Sequence, residues 1–401
     1  MPTTDVVVVA ARRTPIGRYG GAFRSVHPAE LGAVAVRAAL EDAGLEGPAV
    51  DDVWMGHARQ AGSGPNPARQ VVRRAGLPDT VPAQTINKAC ASAMQAVASG
   101  AQAIMLGEAD VVIAGGIESM SRMPYLIDAD DARWGRRMGN FTLVDAMYRD
   151  GFSCSLCGLV MGETAEVLGR QYGITREASD AYALDTQRRT AAAIAADRFR
   201  AEIAPVTVTG PKGRATTVAK DEHPRPDTTL DDLGRLPPVF PAVEGQPGII
   251  TAGTSSGITD GGAALVLMSA KKAQALRTAP LARIVGWASA AVAPQIMGIA
   301  PVPAMRKLFQ RTGLTMDDFD LVELNEAFAP QVLAVLRDAP IPPEKLNVNG
   351  GAIALGHPIG ATGARILVTL LHEMRRRNAR RGLATLCVSG GLGMAMAVER
   401  E

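Results

Sequence analysis

The chain has 401 residues, 47% of them apolar but only 4% aromatic, enough for two or three domains whose interiors must close on Ala, Val, Leu and Met. Its 42 basic and 40 acidic residues nearly cancel to a net charge of +2, so no polyanion-binding field spans the molecule and nucleic acid is not expected as a partner. Four cysteines, at 90, 154, 157 and 387, are too few for a disulfide framework and point to a reducing, cytoplasmic setting.

The opening MPTTDVVVVAARRTP carries an apolar run too short for a signal peptide, with no basic region before it, and no stretch of the chain is expected to span a membrane. Strand-like runs follow in VVVVAA, DVWMGHA, VPAQTINKA and ADVVIAGGI, alternating with the helical AELGAVAVRAALEDAG and SAMQAVASGAQAIMLG. This is the grammar of βαβ units with buried, largely parallel strands. From about residue 121 to 249 the texture becomes charged, Arg-rich and Pro-rich, as in DADDARWGRRMG and DEHPRPDTTLDDLGRLPPVFP. A long insertion of that kind is expected to cover a site rather than form the main core. The strand and helix order then recurs after about residue 275, in PLARIVGWASA, FDLVELNEAFA, LNVNGGAIALG, ARILVTLLHEMRRR and ATLCVSGGL. Each half shows a Gly-Gly segment, AGGIESM at 114–120 and SGGLGMA at 389–395, read as turns. The halves are therefore expected to be related: residues 1–120, completed by about 250–274, and residues 275–401.

Three segments carry residues suited to carbon–sulfur chemistry: INKACASAMQAV around Cys90, NVNGGAIALGHPIGATGARI around His357, and LATLCVSGGLGMAMA around Cys387. Cys90 precedes a helical run, so its sulfur is expected at a helix N-terminus where the dipole favours thiolate. His357 lies in a glycine-lined turn stiffened by Pro358, placed to serve as a base. Cys387 ends a strand and is followed by a turn whose amides can face a developing oxyanion. Two thiols and an imidazole suit acyl transfer. Gly253 to Gly257 also fits G-x-S-x-G, which would make Ser255 a hydrolase nucleophile, although no helix opens directly after it. Cys154 and Cys157 form a single C-x-x-C without a second pair or a nearby histidine, read as a loop pair with no metal.

Together with RTPIG near the start, GGIESMS at 115–121, MGETAE at 161–166, TAGTSSGITDGGAA at 251–264 and NEAFA at 325–329, these segments resemble the thiolases, CoA-dependent acyltransferases, over essentially the whole chain. The resemblance implies an α/β thiolase fold, in which two pseudo-repeated βαβ halves form a five-layered α/β/α/β/α core with an inserted loop domain at 121–249 over the CoA site. It implies reversible Claisen condensation and thiolysis. Cys90 would be the acylated nucleophile, His357 its base and an oxyanion donor, and Cys387 the general acid and base of the carbon–carbon step. Asn325 would hold an oxyanion-hole water, and the backbone N–H groups of Cys90 and Ser389 would form a second oxyanion hole. Ser256, Met161 and Phe328 match pantetheine and acyl contacts, and Arg225 the nucleotide end of CoA. The family habit is a homodimer or a homotetramer built as a dimer of dimers, with CoA and acetyl-CoA as substrates and no permanently bound cofactor or metal. The catalytically silent alternative, a CoA-binding or assembly subunit, would have lost Cys90, His357 or Cys387. One departure bears on specificity: Val160 stands where short-chain biosynthetic members usually carry a histidine.

Overall fold

The computed structural model describes residues 4–210, 213–243 and 245–400. Its first half runs β1 (Val6–Arg13), α1 (Pro28–Ala43), β2 (Asp52–Gly56), α2 (Pro67–Ala75), β3 (Ala83–Ile86), α3 (Ser92–Leu106) and β4 (Val111–Ser119). An excursion containing α4 (Met161–Gln171) and α5 (Arg176–Ala195) follows, and β5 (Thr259–Ser269) then returns between β1 and β4. The second half comprises β6 (Ala282–Ala291), α6 (Pro301–Thr312), β7 (Leu321–Leu324), α7 (Ala329–Asp338), α8 (Ile359–Arg377), β8 (Arg381–Val388) and β9 (Leu392–Glu399).

The strands follow the order β7-β8-β9-β6-β1-β5-β4-β2-β3. In the first half β1, β5 and β4 are antiparallel neighbours, and β2 and β3 then continue parallel to β4. The second half repeats this sense: β6, β9 and β8 alternate, β7 lies parallel to β8, and Leu346 makes a further parallel bridge to Val322. The halves join through β1 and β6, which pair antiparallel at Val7–Arg283 and Val8–Ala282.

The repeat expected from the sequence is present, but the largely parallel sheet is not: among the named strands parallel pairing joins β4/β2, β2/β3 and β8/β7, and the remaining pairs are antiparallel. The apolar runs misled because β4 and β5 are buried along their whole length. A strand covered on both faces reads as continuously hydrophobic whichever way its neighbours point.

Helices α3 and α8 form the central layer. Met94, Val97 and Ile104 of α3 and Ile366 and Leu370 of α8 share one core with Leu265 of β5 and Leu386 of β8. On the outer face of the first half, Val36 and Leu40 of α1 and Val71 of α2 pack on Met55 and Val266. On the outer face of the second, Met305 and Leu308 of α6 and Val332 of α7 pack on Val322 and Ala397. Five layers result. Leu168 of α4 is fully buried in that last cluster, so part of the inserted segment joins the core.

Two further expectations are corrected. Gly115 and Gly116 lie inside β4 and form no turn. A Cβ on Gly116 would sit 2.3 Å from the Gly360 carbonyl oxygen and 2.9 Å from the Ala361 Cα, so the glycine lets α8 start directly against the strand. Residues Ala89–Leu106 do reach membrane-spanning length and hydropathy, with a mean of 1.2 over 18 residues. That stretch carries α3, and a helix enclosed between two sheets is apolar all round for the same reason a membrane helix is.

Candidate active site

Cys90 stands two residues before α3, after Ala89 in a left-handed conformation with φ 44°. Ser92 holds this bend: its hydroxyl donates to the Ala89 carbonyl (2.6 Å) and accepts from the Lys88 N–H (2.9 Å). Gly56, at the end of β2, lets the loop approach, since a Cβ there would lie 2.3 Å from the Ala93 nitrogen. The Ser389 N–H and the N–H of Cys90 itself are directed at the sulfur. Burial nevertheless pushes the Cys90 thiol up, against the opposing pull of the Arg59 cation and those two N–H groups. The expected lowering by the helix end is overturned, because desolvation of a thiolate outweighs the partial charge of one helix terminus.

His357 enters between the short helix Ala352–Leu355 and α8. Gly356, at φ 103°, makes that turn possible, and the His357 N–H donates to the Gly257 carbonyl at 3.1 Å. The Thr362 hydroxyl lies 2.6 Å from Nδ1 and donates its one proton to the Pro358 carbonyl at 3.0 Å. Its oxygen must therefore accept from Nδ1–H, which assigns the neutral tautomer and makes Nε2 an acceptor. Asn325, fully buried after β7, places Nδ2 at 3.5 Å from Nε2. Burial, then the cations of Arg365 and Arg59, push the imidazole down to about 3. The resting pair is a neutral thiol and a neutral imidazole with an open acceptor.

Cys387 occupies the penultimate position of β8, almost completely buried beside Met297, Ala327, Met161 and Phe328. Burial and then the charge of Cys90 push its thiol well above the usual range. The turn between β8 and β9 carries Ser389, with Gly390 and Gly391 both at φ 86°.

Cys90, His357, Cys387 and Ser389 line one cavity of about 510 Å³, together with Ser256, Met161 and Phe328 and the exposed Arg225. Cys90, His357 and Cys387, far apart in the chain, thus converge as the sequence suggested, and Asn325 stands behind His357. The inserted segment contributes Phe152, Val160, Met161, His223 and Phe240 to the wall. Ser255 also reaches the cavity, but its hydroxyl donates to the Thr251 carbonyl at 2.8 Å and the Nδ1 of His357 is engaged by Thr362. No serine–histidine relay exists. Cys154 and Cys157 are free thiols in a tight turn closed by the Gly158 N–H on the Cys154 carbonyl.

Sequence reasoning missed Thr362, His223 and Arg59. Thr362 sits in the quoted GATG segment, where its spacing of five from His357 across a helix start was the available signal. His223 sits in DEHPR, and Arg59 in GHARQAG gave no sign of burial.

Residues 6–271 match the thiolase N-terminal domain and residues 278–400 the thiolase C-terminal domain. The chain belongs to the thiolase family. It is 50% identical over 396 residues to an acetyl-CoA acetyltransferase of Chromobacterium violaceum, covering 99% of this chain and 100% of that protein. A Pseudomonas aeruginosa acetyl-CoA acetyltransferase is likewise 50% identical over 397 residues, with the same coverage. Among solved structures, the Bacillus anthracis acetyl-CoA acetyltransferase superposes with a TM-score of 0.95 at 44% identity, covering 99% of each chain. Human mitochondrial 3-ketoacyl-CoA thiolase in complex with CoA superposes with a TM-score of 0.93 at 42% identity, covering 99% of this chain and 98% of that one. Thiolase relatives of both kinds, acetyl-transferring and 3-ketoacyl-cleaving, therefore share its fold throughout.

Proposed function

We propose that this thiolase transfers acyl groups between CoA thiols through an acyl-Cys90 intermediate, running Claisen condensation and thiolysis in one cavity. The observation that carries the reading is the convergence of Cys90, His357 and Cys387 on that cavity. Cys90 attacks a thioester or 3-keto carbonyl while its proton passes to the open Nε2 of His357. In thiolysis the bond to the acetyl fragment breaks, Cys387 delivers a proton to the departing carbanion, and acetyl-CoA leaves. A CoA thiol then takes the acyl group from Cys90. Condensation of two acetyl-CoA molecules is the reverse, with Cys387 removing the methyl proton.

Both thiols rest protonated, so each must give up its proton as it reacts. His357, once protonated, and a water on Asn325 serve the first oxyanion, and the N–H groups of Cys90 and Ser389 the second. Ser256, Met161 and Phe328 hold pantetheine, and Arg225 receives the nucleotide end. We take residues 121–249 as the cover of the CoA site, with the two halves divided at 1–120 plus 250–274 and at 275–401. We further propose a homodimer or dimer of dimers acting in the cytoplasm, where Cys90 and Cys387 stay reduced.

The test is CoA-dependent cleavage of 3-ketoacyl-CoA substrates of increasing chain length, following acetyl-CoA release, with Cys90→Ala as control. Cleavage that vanishes with Cys90 supports the reading. CoA binding without cleavage at any length sinks it in favour of a silent binding subunit.

A further inference from the structure

Arg59 follows β2 and is 7% exposed, yet it lines the cavity that holds Cys90. Its guanidinium is poorly provided for. Nη2 donates to the Gly151 carbonyl at 2.9 Å, and the buried Nε has no partner. Among the described residues no carboxylate lies within 4.0 Å of it. Glu118 is engaged elsewhere: Oε1 accepts from the Arg59 backbone N–H (3.3 Å) and lies 3.2 Å from His57 Nε2, and Oε2 accepts from the Gly360 N–H (2.8 Å).

The position is built rather than incidental. Gly151 makes room for the side chain, since a Cβ there would lie 2.8 Å from Nε and 3.3 Å from Cζ. Phe152 and Ile359 share the cavity wall with it. Among the described residues no Asp or Glu lines the cavity. A guanidinium whose buried Nε lacks a partner is a ready receptor for an anion. The cation is also near the reacting groups, for it pulls the Cys90 thiol and the His357 imidazole down.

We propose that Arg59 receives a carboxylate at the far end of the acyl chain, so that the preferred acyl group is that of a dicarboxylic acid and not a plain alkyl chain. The inference rests on the thiolase reading above and names its substrate class. The guanidinium fork matches a carboxylate in a bidentate pair, and a desolvated pair of that kind discriminates strongly against an uncharged end. In the reaction, the Cys90 sulfur bonds to C3 of a 3-keto, ω-carboxy acyl-CoA and the C2–C3 bond breaks. C2 takes a proton as acetyl-CoA departs, and the ω-carboxyacyl group stays on sulfur until CoA removes it. The methylenes lie against Phe152 and Ile359, and the carboxylate replaces the missing partner of Arg59.

The experiment compares kcat/KM for thiolysis of two six-carbon 3-ketoacyl-CoA substrates that differ only in ending in carboxylate or methyl. The wild-type chain is expected to favour the carboxylate by about tenfold or more, and Arg59→Leu to remove that preference, with Arg59→Lys retaining part of it. Arg59→Gln, closer in polarity, serves if the leucine variant does not fold. A wild-type preference for methyl overturns the inference. So does an equal loss on both substrates in the variants, which would mean that Arg59 acts only through Cys90. Cleavage of neither substrate by the wild type overturns the thiolase reading and this inference with it.

Discussion

Thr362→Val tests whether the tautomer of His357 is fixed from behind. The substitution nearly preserves shape in a fully buried position of α8. It takes nothing essential from Pro358, whose carbonyl still accepts from the Ala361 N–H at 2.8 Å. Only the imidazole loses a partner. A hydrogen bond to a charged group contributes about 1.5–3 kcal/mol against about 0.5–1.5 for a neutral one, so the bond to Thr362 favours the imidazolium formed during acylation by about 1–1.5 kcal/mol. Leaving Nδ1–H buried without an acceptor costs about 1–3 kcal/mol more, and the proton escapes that cost by moving to Nε2, where it closes the acceptor Cys90 needs. A combined loss of about 2–3 kcal/mol corresponds to a roughly 30- to 150-fold slower acylation. The assay is stopped-flow acetylation of Cys90 by acetyl-CoA, followed by mass spectrometry, with Thr362→Ser beside it to restore the hydroxyl. Acetylation by Thr362→Val within about threefold of wild type would refute the argument. A serine variant as slow as the valine variant would refute it too, since packing and not the proton would then be at fault.

Because burial, Arg365 and Arg59 hold His357 at about 3, its neutral form persists far below the usual imidazole range. The pH profile of kcat/KM for thiolysis should therefore lack a falling acid limb between about pH 7 and 5, and a limb near about 6.5 would contradict the assignment. Gly116→Ala drives a Cβ to 2.3 Å from the Gly360 oxygen. With the α8 backbone on one side and the Ala93 Cβ on the other, it should cost about 3 kcal/mol or more in urea unfolding, and an unchanged midpoint would show that α8 can retreat. Glu373 is held at about 2: burial opposes its charge, but hydrogen bonds from Arg376, Asn349 and Arg377 outweigh burial. A depressed carboxyl stabilises the fold above its unfolded value and loses that contribution as pH falls through the folded one. The Tm gap between wild type and Glu373→Gln should thus be full at neutral pH and shrink between about pH 4.5 and 2, and a gap independent of pH would exclude the mechanism.

The chemistry was legible in the sequence where small residues flank a reactive one. Cys90, His357 and Cys387 each sit in Ala- or Gly-rich segments, and those segments are where the chain packs closest: Gly56 against the Ala93 backbone, Gly356 against the Thr259 side chain, Gly391 against the Val292 carbonyl. The repeat was legible for the same reason. Strand direction was not, because β4 and β5 are covered on both faces and show no alternation. The Cys90 thiol was misjudged because a helix start is local and desolvation is not: the sulfur is buried against Met147 and Ile359, far away in the chain. Arg59 stayed hidden because its burial depends on Gly151, 92 residues away in sequence, whose carbonyl receives its guanidinium.

The shared central layer also sets an order of events during synthesis. β5, which fills the gap between β1 and β4, lies beyond residue 258, and α8, the partner of α3 in the core, begins only at Ile359. A nascent chain that has released α3 therefore carries an apolar helix without its cover for more than 250 residues of translation. Neither half can be finished alone. Truncated chains should bind holdase chaperones through α3, and release should come when the C-terminal half emerges and the two central helices meet.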